Sequence, residues 1–398
     1  MMAGHGYTVA IIAYGSPLLQ PDMTIQSAQP SHPVFLTRPD LQSLQKTAED
    51  VLPATICQIA QQTIKSWPDY QPTPLQALSF LASQLGVGEL YCKDESSRFG
   101  LGSFKSLGGA YAVAQLAKNR SHQDKLTVAC ATAGNHGKSV AWGAQLAGVE
   151  CVIFLHENVS QSREDAIAAY GARIVRVPGN YDDSVRHCAQ QSSANGWTVI
   201  SDTSWEGYSE IPRQVMAGYT VIADEIRSQL PKAPTHVFLQ GGVGGLAAAM
   251  MAQLIRSYPD EEICFIVVEP DEANCLKRSL ENRKFTTVSG PMNTSMAGLA
   301  CGVPSMIALE ILQQGSNIAM TVGEQVVVDC MRILARPQSS DPSIVAGASG
   351  AAGLAGLVQL CSTQNWRKLT GLGPQSRVLV INSEGATDPQ TYRSLIGD

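Results

Sequence analysis

Short apolar runs rich in β-branched residues alternate with stretches of helical periodicity along most of the chain. The apolar runs predict strands at residues 126–132, 151–155, 172–177, 198–202, 236–240, 263–269 and 378–382. Apolar residues spaced three or four apart predict helices between them, at residues 138–146, 162–170, 218–229 and 245–257. Strands that alternate with helices predict an α/β fold with mainly parallel sheets and crossover helices.

The spacing of these elements predicts two units of unequal size. We expect a small α/β domain at residues 119–202 and a large domain formed by residues 1–118 and 203–398. Residues 1–45 are irregular in pattern and interrupted by prolines, so we interpret them as an N-terminal arm of the large domain.

The composition is that of a globular protein rather than a disordered or fibrous chain. Of the 398 residues, 44% are hydrophobic and 16% are charged. The net charge of −6 provides no basic footprint for a nucleic acid. No apolar run has the length needed to span a bilayer. We therefore expect neither a nucleic-acid partner nor a membrane partner.

The ten cysteines are scattered and form neither a CxxC pair nor a spacing typical of metal sites. Most lie in apolar stretches, which is typical of reduced thiols in a protein core. The apolar stretch at residues 7–19 lacks a preceding basic region, so it does not match a signal peptide. These observations predict a cytoplasmic protein without a bound metal.

One lysine lies in a run of glycines and hydroxyl residues that directly precedes a helical pattern. The run reads Gly100-Leu101-Gly102-Ser103-Phe104-Lys105-Ser106-Leu107-Gly108-Gly109. Glycine lets the backbone approach a ligand closely, and the start of a helix offers N–H groups to an anion. A buried lysine there can lose its proton near neutral pH and attack a carbonyl group. The alternative is an ordinary surface lysine in a loop that begins a helix.

Two glycine-rich turns each follow a predicted strand and begin a predicted helix. The first turn suits a carboxylate and reads Thr132-Ala133-Gly134-Asn135-His136-Gly137. The second turn suits a phosphate and reads Gln240-Gly241-Gly242-Val243-Gly244-Gly245. It lacks both the Lys-Ser/Thr pair of a P-loop and the GxGxxG spacing, so a phosphate monoester fits better than a nucleotide. For both segments the alternative is a turn that only packs a strand against a helix.

A third segment ends the last predicted strand and reads Val378-Leu379-Val380-Ile381-Asn382-Ser383-Glu384-Gly385. The carboxyl ends of parallel strands are where α/β sheets bind ligands. Ser383 is therefore a candidate hydrogen-bond partner for a ring nitrogen. The alternative is a strand end followed by turn residues.

The order of lysine, Gly-Asn turn, glycine-rich turn and serine resembles that of the fold-type II (tryptophan synthase β-like) pyridoxal-phosphate enzymes. The resemblance covers most of the chain beyond residue 65. Within that group the chain is similar to the diaminopropionate ammonia-lyase family. The segments that carry this similarity are Arg98-Phe99-Gly100-Leu101, Gly179-Asn180-Tyr181-Asp182-Asp183-Ser184, Asp202-Thr203-Ser204-Trp205-Glu206-Gly207-Tyr208, Met296-Ala297-Gly298-Leu299 and Ser383-Glu384-Gly385-Ala386-Thr387-Asp388-Pro389. Serine and threonine dehydratases usually lack the run that begins at Asp202.

The resemblance implies a fold and a cofactor. The fold has two open, twisted, mainly parallel sheets flanked by helices, one in a large domain and one in a small domain. The cofactor is pyridoxal 5'-phosphate, which would form a Schiff base with Lys105. Asn135 would contact its ring oxygen and Ser383 its ring nitrogen. The residues that would hold its phosphate are Gly241, Gly242, Val243, Gly244 and Gly245.

The resemblance also implies a substrate site and a reaction. The residues that would bind the substrate carboxylate are Thr132, Ala133, Gly134 and His136. Lys105 and Asp202 would be the catalytic pair in an α,β-elimination from a β-substituted amino acid, with 2,3-diaminopropionate giving pyruvate and ammonia. The family resemblance also favours a homodimer. The alternatives are a dehydratase for serine, threonine or 3-hydroxyaspartate, a β-replacement synthase, and a cofactor-binding protein without turnover.

Two positions depart from the family pattern. The family usually has an acidic residue before Gly-Asn-His-Gly, where this chain has Ala133. That carboxylate is tied to proton abstraction from the D-isomer, so we expect a preference for the L-isomer. The family also tends to have an acidic residue in the later Ser-Gly motif, where this chain has Ala348.

Overall fold

The computed structural model describes residues 32–37, 40–120, 125–132 and 134–397, and the backbone of two short strands at residues 8–9 and 25–26. In chain order the strands of this part are β1 Thr8–Val9, β2 Ile25–Gln26, β3 Val34–Phe35, β4 Leu75–Ala77, β5 Glu89–Asp94, β6 Thr127–Ala131, β7 Glu150–His156, β8 Arg173–Val177, β9 Thr198–Val199, β10 His236–Gln240, β11 Cys264–Pro270, β12 Ile318–Val322 and β13 Arg377–Asn382.

The helices of the same part are α1 Leu41–Val51, α2 Ala54–Lys65, α3 Ser79–Leu85, α4 Lys105–Lys118, α5 Asn135–Ala147, α6 Gln161–Ala168, α7 Tyr181–Asn195, α8 Glu210–Gln229, α9 Gly245–Ser257, α10 Cys275–Asn282, α11 Met306–Gly315, α12 Glu324–Ala335, α13 Ala348–Cys361, α14 Gln364–Thr370 and α15 Pro389–Ile396. Two 3-10 segments lie at Glu95–Gly100 and Ala297–Leu299.

The larger sheet has seven strands in the order β3-β12-β11-β10-β13-β5-β4. Its five inner strands are parallel, and β3 and β4 run antiparallel at the two edges. The inner strands are covered on both faces: Phe265 and Val267 of β11 belong to one core cluster, and Ile266 and Val268 belong to another. Such strands need nearly continuous apolar sequence, which explains why these runs are visible in the sequence.

The smaller sheet has four parallel strands in the order β8-β7-β6-β9. Its own small core contains Ala129, Val152 and Phe154, together with Cys188 from α7. Helix α4 packs against α5 beside this sheet and against α8 beside the larger sheet. Helix α4, which begins at Lys105, therefore contacts helices that lie beside both sheets.

The prediction of an α/β fold with two mainly parallel, helix-flanked sheets is confirmed. The four-stranded sheet lies within residues 119–202, and the domain boundaries themselves stay a prediction. The arm expected at residues 1–45 lies mostly outside the described residues. Its described part contains β1 and β2, which pair with each other, β3, which pairs with β12, and the start of α1 at Leu41.

Two further observations concern the whole described chain. Among the described helices, none is both long enough and apolar enough to cross a membrane. All ten cysteines lie in this part of the chain and are free thiols.

Candidate active site

Lys105 is the first residue of α4, at the end of a loop that is bound to the last strand of the larger sheet. The backbone N–H of Phe104 donates to the carbonyl of Ser383 over 3.1 Å, and that of Gly385 donates to the carbonyl of Gly102 over 2.9 Å. Gly102 has a left-handed backbone with φ +84°, a conformation that glycine adopts without strain. The glycine-rich loop therefore brings Lys105 to the carboxyl end of β13.

Lys105 forms an ion pair with Asp202, which follows β9 of the smaller sheet. The Lys105 Nζ lies 2.5 Å from Asp202 Oδ2, and the two side chains are 18% and 20% exposed. The rings of Phe104 and Tyr219 lie beside the ammonium, with centroids 5.3 and 5.9 Å from Nζ. The pair is thus enclosed by aromatic rings but still reachable by a small molecule.

The protonation of this pair differs from the sequence expectation. Burial lowers the pKa of Lys105, but the charge of Asp202, the nearby Tyr219 and the hydrogen bond to Asp202 together hold that pKa above its ordinary value. Burial likewise opposes ionisation of Asp202, yet Lys105 holds the pKa of that carboxyl well below its usual range. The prediction that Lys105 becomes neutral through burial is therefore wrong, because the carboxylate beside it stabilises the ammonium.

His136 lies in the first turn of α5, and its buried ring also faces Asp202. Its Nε2 lies 3.1 Å from the carbonyl oxygen of Ile200, and its Nδ1 lies 4.0 Å from Asp202 Oδ2. Burial lowers the pKa of His136, and the nearby ammonium of Lys105 adds to this effect against the pull of Asp202. The structure thus brings Lys105, Asp202 and His136 together.

The turn that begins α5 is only partly described. The backbone N–H of Gly134 donates to the hydroxyl of Thr132 over 3.2 Å, and Gly134 precedes the first helical residue, Asn135. Ala133 lies outside the described residues. The carboxylate-binding role of this turn stays a prediction.

Asn135 contacts a carboxylate that the sequence did not single out. Its Nδ2 donates to Glu384 Oε2 over 2.6 Å. Burial raises the pKa of Glu384, although hydrogen bonds from Ser349 and Asn135 partly offset this effect. Glu384 directly follows Ser383 at the end of β13, so its position in the chain was the available signal.

The second glycine-rich turn forms an open cradle at the start of α9. Gly242 and Gly244 have left-handed backbones with φ +61° and +98°. A Cβ added at Gly241 would lie 2.4 Å from the Cγ of Glu269, so a side chain there does not fit. Alternating backbone of this kind turns successive N–H groups to one side, and the helix dipole adds positive potential.

The cradle lies next to the lysine pair. A Cβ added at Gly245 would lie 3.8 Å from the ring of Tyr219 and 3.9 Å from the carbonyl oxygen of Asp202. Ser383 is buried at the carboxyl end of β13, the neighbour of β10 in the sheet. The carboxyl ends of strands from both sheets therefore meet around Lys105, as expected for a ligand site in an α/β protein.

Comparisons with known proteins agree with this geometry. Residues 67–384 match the family described as pyridoxal-phosphate dependent enzyme. The chain is 40% identical to the diaminopropionate ammonia-lyase of Escherichia coli strain K12 over 359 residues, which cover 85% of this chain and 90% of the relative. It is 35% identical to that of Salmonella typhimurium, over 83% and 89% of the two chains. The chain belongs to the diaminopropionate ammonia-lyase family.

Solved structures of this family have the same fold. The structure of the E. coli diaminopropionate ammonia-lyase in complex with an aminoacrylate-PLP azomethine reaction intermediate has a TM-score of 0.81, 39% identity, and coverage of 87% of this chain and 92% of that one. The processed form of a tomato threonine deaminase, at 22% identity and a TM-score of 0.73, shares the fold alone. This member of the diaminopropionate ammonia-lyase family is a pyridoxal-phosphate dependent lyase of fold type II, as the sequence resemblance implied.

The site residues fit pyridoxal phosphate in two respects. All residues of the cradle at 241–245 except Val243 are glycines, which suits close approach of a phosphate monoester, and the cradle begins a helix. The primary amine of Lys105 lies beside the ring of Tyr219, which also lies next to Gly245. The family assignment confirms the cofactor, and the individual residue roles stay predictions.

Sequence reasoning missed Tyr219, whose ring packs against Lys105. Tyr219 is buried, and among the described residues its hydroxyl has no hydrogen-bond partner. Burial raises the pKa of Tyr219, although the Lys105 charge opposes this rise. No sequence signal distinguishes it within the long apolar face of α8, because only the crossing of α8 over α4 brings it to the lysine.

A buried ion cluster lies behind the lysine loop. Lys93 Nζ lies 2.6 Å from Glu225 Oε2, and Arg98 pairs with Glu225 over 2.7 Å and with Glu95 over 2.8 Å. All four side chains are almost fully buried. The cluster connects β5 and the loop before Lys105 to α8, which carries Tyr219.

Proposed function

We propose that this enzyme converts 2,3-diaminopropionate and water into pyruvate and two molecules of ammonia, with a preference for the L-isomer. The observation that carries the proposal is the pair formed by Lys105 and Asp202, in which an amine and a carboxylate lie 2.5 Å apart in a partly open site. The relatives named above are diaminopropionate ammonia-lyases and align over nearly the whole length.

We assign the contacts of the cofactor to residues of this chain. Lys105 attaches it covalently, Asn135 contacts its ring oxygen and Ser383 contacts its ring nitrogen. The backbone N–H groups of residues 241–245 hold its phosphate. Bound pyridoxal phosphate withdraws electrons from the α-carbon of the substrate and so acidifies the α-proton.

Asp202 provides a site for the second amino group of the substrate. In the structure this carboxylate binds the ammonium of Lys105, which is a primary ammonium on a methylene chain. The β-end of diaminopropionate carries the same group. A charge-assisted hydrogen bond of this kind is worth about 1.5–3 kcal/mol. Asp202 therefore favours a cationic β-substituent over a hydroxyl.

Lys105 acts as the base in this proposal. Its neutral amine removes the α-proton, after which the β-amino group departs as ammonia. The unsaturated amino acid that remains hydrolyses to pyruvate and the second ammonia. The carboxylate of the substrate binds at the start of α5, where Thr132, Ala133, Gly134 and His136 lie. His136 contributes its backbone N–H, because its ring faces Asp202.

A substrate panel tests the proposed reaction. Ammonia and the 2-oxo acid are measured with purified enzyme and L- or D-diaminopropionate, serine, threonine and 3-hydroxyaspartate; the 2-oxo acid is 2-oxobutyrate from threonine, oxaloacetate from 3-hydroxyaspartate and pyruvate from the others. We expect the highest kcat/KM with L-diaminopropionate and two ammonia per pyruvate. A higher kcat/KM with a hydroxy amino acid would instead identify a dehydratase. A third outcome is that no substrate gives a 2-oxo acid, but a new amino acid forms when a nucleophile is added. That outcome would identify a β-replacement synthase.

We also propose that the enzyme is a cytoplasmic homodimer. Free thiols support a reducing compartment, and two-fold dimers are the commonest oligomers of soluble proteins. Trp205, Val303 and Met306 expose apolar side chains near the loop that carries Asp202. Sedimentation velocity should give twice the chain mass of 42.4 kDa. A species of single chain mass at micromolar concentration would contradict the dimer.

A further inference from the structure

One nitrogen of the active-site histidine has no partner. His136 is only 7% exposed, and among the described residues its Nδ1 has no hydrogen-bond partner. Because Nε2 donates its proton to the carbonyl of Ile200, Nδ1 carries a free lone pair. That lone pair faces the carboxylate of Asp202 at 4.0 Å. Two acceptors that face each other can be joined only by an added proton.

Lys105 has the opposite need. An ammonium can neither attack a carbonyl group nor remove an α-proton, so Lys105 must lose a proton before it performs its proposed role. Asp202 opposes that loss because it stabilises the ammonium. A proton acceptor close to the same carboxylate would offset this opposition.

We propose that Nδ1 of His136 accepts the proton that Lys105 gives up, and that Asp202 stabilises the charge in both states. One N–H bond breaks at Nζ of Lys105 and one forms at Nδ1 of His136. The site changes from ammonium, carboxylate and neutral ring to amine, carboxylate and imidazolium. Its net charge stays zero, so no uncompensated charge arises in a buried space.

The two nitrogens share one oxygen. Asp202 Oδ2 lies 2.5 Å from Lys105 Nζ and 4.0 Å from His136 Nδ1. This geometry couples the two titrations: the charge on Lys105 lowers the proton affinity of His136, and its loss leaves the full pull of Asp202 on the ring. The inference rests on the proposed role of Lys105 and adds His136 as a residue that acts through Asp202.

The other titratable groups around Asp202 do not compete for this proton. They are the hydroxyls of Tyr181, Tyr208 and Tyr219 and the thiols of Cys130 and Cys301. Burial raises the pKa of each of them, so they stay neutral in the neutral pH range. Lys105 and Asp202 are the charged groups that act on the ring of His136.

The chain offers a matched control in His236. This histidine is also buried, and its Nε2 lies 2.9 Å from the carbonyl oxygen of Thr370. Burial lowers its pKa as well. Its Nδ1, however, is paired with the hydroxyl of Thr235 at 2.8 Å, and no carboxylate of the described residues shifts its pKa. His236 therefore shares the burial and the Nε2 contact of His136 but differs from it at Nδ1.

Histidine NMR tests the proposal without any substrate. The full-length chain, with the imidazole carbons of its seven histidines labelled, is titrated with and without cofactor, and signals are assigned with His136→Asn and His236→Asn. In the cofactor-free wild type we expect a neutral His136 with its proton on Nε2. In Lys105→Met its titration midpoint should rise by at least about one pH unit. In the double variant Lys105→Met with Asp202→Asn, the titration midpoint of His136 should be lower again than in Lys105→Met alone.

The signal of His236 serves as the internal control for folding and should have the same midpoint in every variant. If Lys105→Met disturbs the His236 signal, the titration is repeated with Lys105→Gln in place of Lys105→Met. A His136 midpoint that does not rise when Lys105 is replaced, while His236 is native, would overturn the proposal. A wild-type ring with its proton on Nδ1 would also overturn it. Neither outcome depends on whether diaminopropionate is the substrate.

The pH dependence of cofactor attachment provides a second readout. The rate at which pyridoxal phosphate attaches to the cofactor-free enzyme is followed by its visible absorbance. His136→Asn should slow attachment about 100-fold at neutral pH and recover as the pH rises, because hydroxide then replaces the missing acceptor. His236→Asn should attach cofactor at the wild-type rate. A wild-type rate in His136→Asn would show that His136 only supports the turn.

Discussion

Lys105 and Asp202 lie 97 positions apart in the chain and 2.5 Å apart in the structure. The sequence suggested each residue separately, through a glycine-rich loop and through a family motif. It did not indicate that they form an ion pair, because the pairing depends on how the two sheets are placed. For the same reason burial alone gave the wrong protonation state for Lys105.

Replacement of Asp202 tests its role in substrate choice. Asp202→Asn removes the negative charge but keeps the shape, so the ratio of kcat/KM for diaminopropionate to that for serine should fall about 10- to 100-fold. The matched control is Asp224→Asn, because Asp224 also pairs with a lysine, but with Lys65 at the surface rather than with Lys105. Equal losses on both substrates would contradict a charge-specific role of Asp202.

The stereochemical preference can be tested at Ala133. If the missing carboxylate explains a preference for the L-isomer, Ala133→Asp should raise kcat/KM for D-diaminopropionate by about 100-fold, the lower end of the range for an added general base. The rate with the L-isomer in the same variant is the control. An unchanged D-isomer rate, with normal L-isomer activity, would count against the interpretation of Ala133.

At the scale of elements, the ion cluster explains how the lysine loop is held. Lys93 lies on β5, Glu95 and Arg98 lie in the 3-10 segment, and Glu225 lies on α8. A buried charge that loses its partner is costly, since it can neither reach water nor find another counter-ion. The cluster therefore fixes the segment that leads to Lys105 against the helix that carries Tyr219.

Two neighbouring residues of α8 provide a matched test of this cluster. Glu225 pairs with Lys93 in the core, and Asp224 pairs with Lys65 at the surface, over 2.6 and 2.5 Å. Glu225→Gln should lower the free energy of unfolding by about 3 kcal/mol or more. Asp224→Asn should lower it by less than about 1 kcal/mol. Similar losses in urea unfolding would contradict a special role of the buried cluster.

Glu269 at the end of β11 gives the fold a defined pH dependence. Burial raises its pKa to about 8, although the backbone N–H groups of Lys277 and Leu276 partly offset this rise. An unfolded chain has a glutamate pKa of about 4.3. Between these values the folded protein binds more protons than the unfolded chain, so stability must fall as pH rises.

The corresponding variant is Glu269→Gln, which cannot ionise. We expect its free energy of unfolding to decline less than that of the wild type between about pH 5 and pH 8, because the buried charge no longer forms. Urea unfolding at both pH values measures the difference. Glu261→Gln, an exposed position, should keep the wild-type decline. A wild-type decline in Glu269→Gln would show that other groups cause it.

Some elements were predictable and others were not, for physical reasons. The strands at residues 236–240 and 264–270 are continuous apolar runs because both faces of the sheet are covered. The sequence did not reveal β5, since its buried face includes Lys93, whose charge is satisfied only by Glu225 on a distant helix. The edge strands β3 and β4 are too short for a periodic pattern.

At the scale of the whole molecule, the site lies where the carboxyl ends of strands from both sheets meet. The smaller sheet contributes Asp202 and the turn before Asn135, and the larger sheet contributes the phosphate cradle and Ser383. The family order of these segments could be recognised in the sequence, because each follows its own strand. The contacts of Tyr219 and Glu384 could not be recognised in the sequence, because they depend on packing between elements that are distant in the chain.

Chemical trapping shows directly whether Lys105 holds the cofactor. The purified enzyme is reduced with borohydride, which fixes the cofactor to the amine that carries it, and the peptides are analysed by mass spectrometry. Lys93 is a built-in comparison, since it is also a buried lysine paired with a carboxylate. We expect a modified peptide that contains Lys105. A reduced adduct on Lys93 or on any other lysine would contradict it.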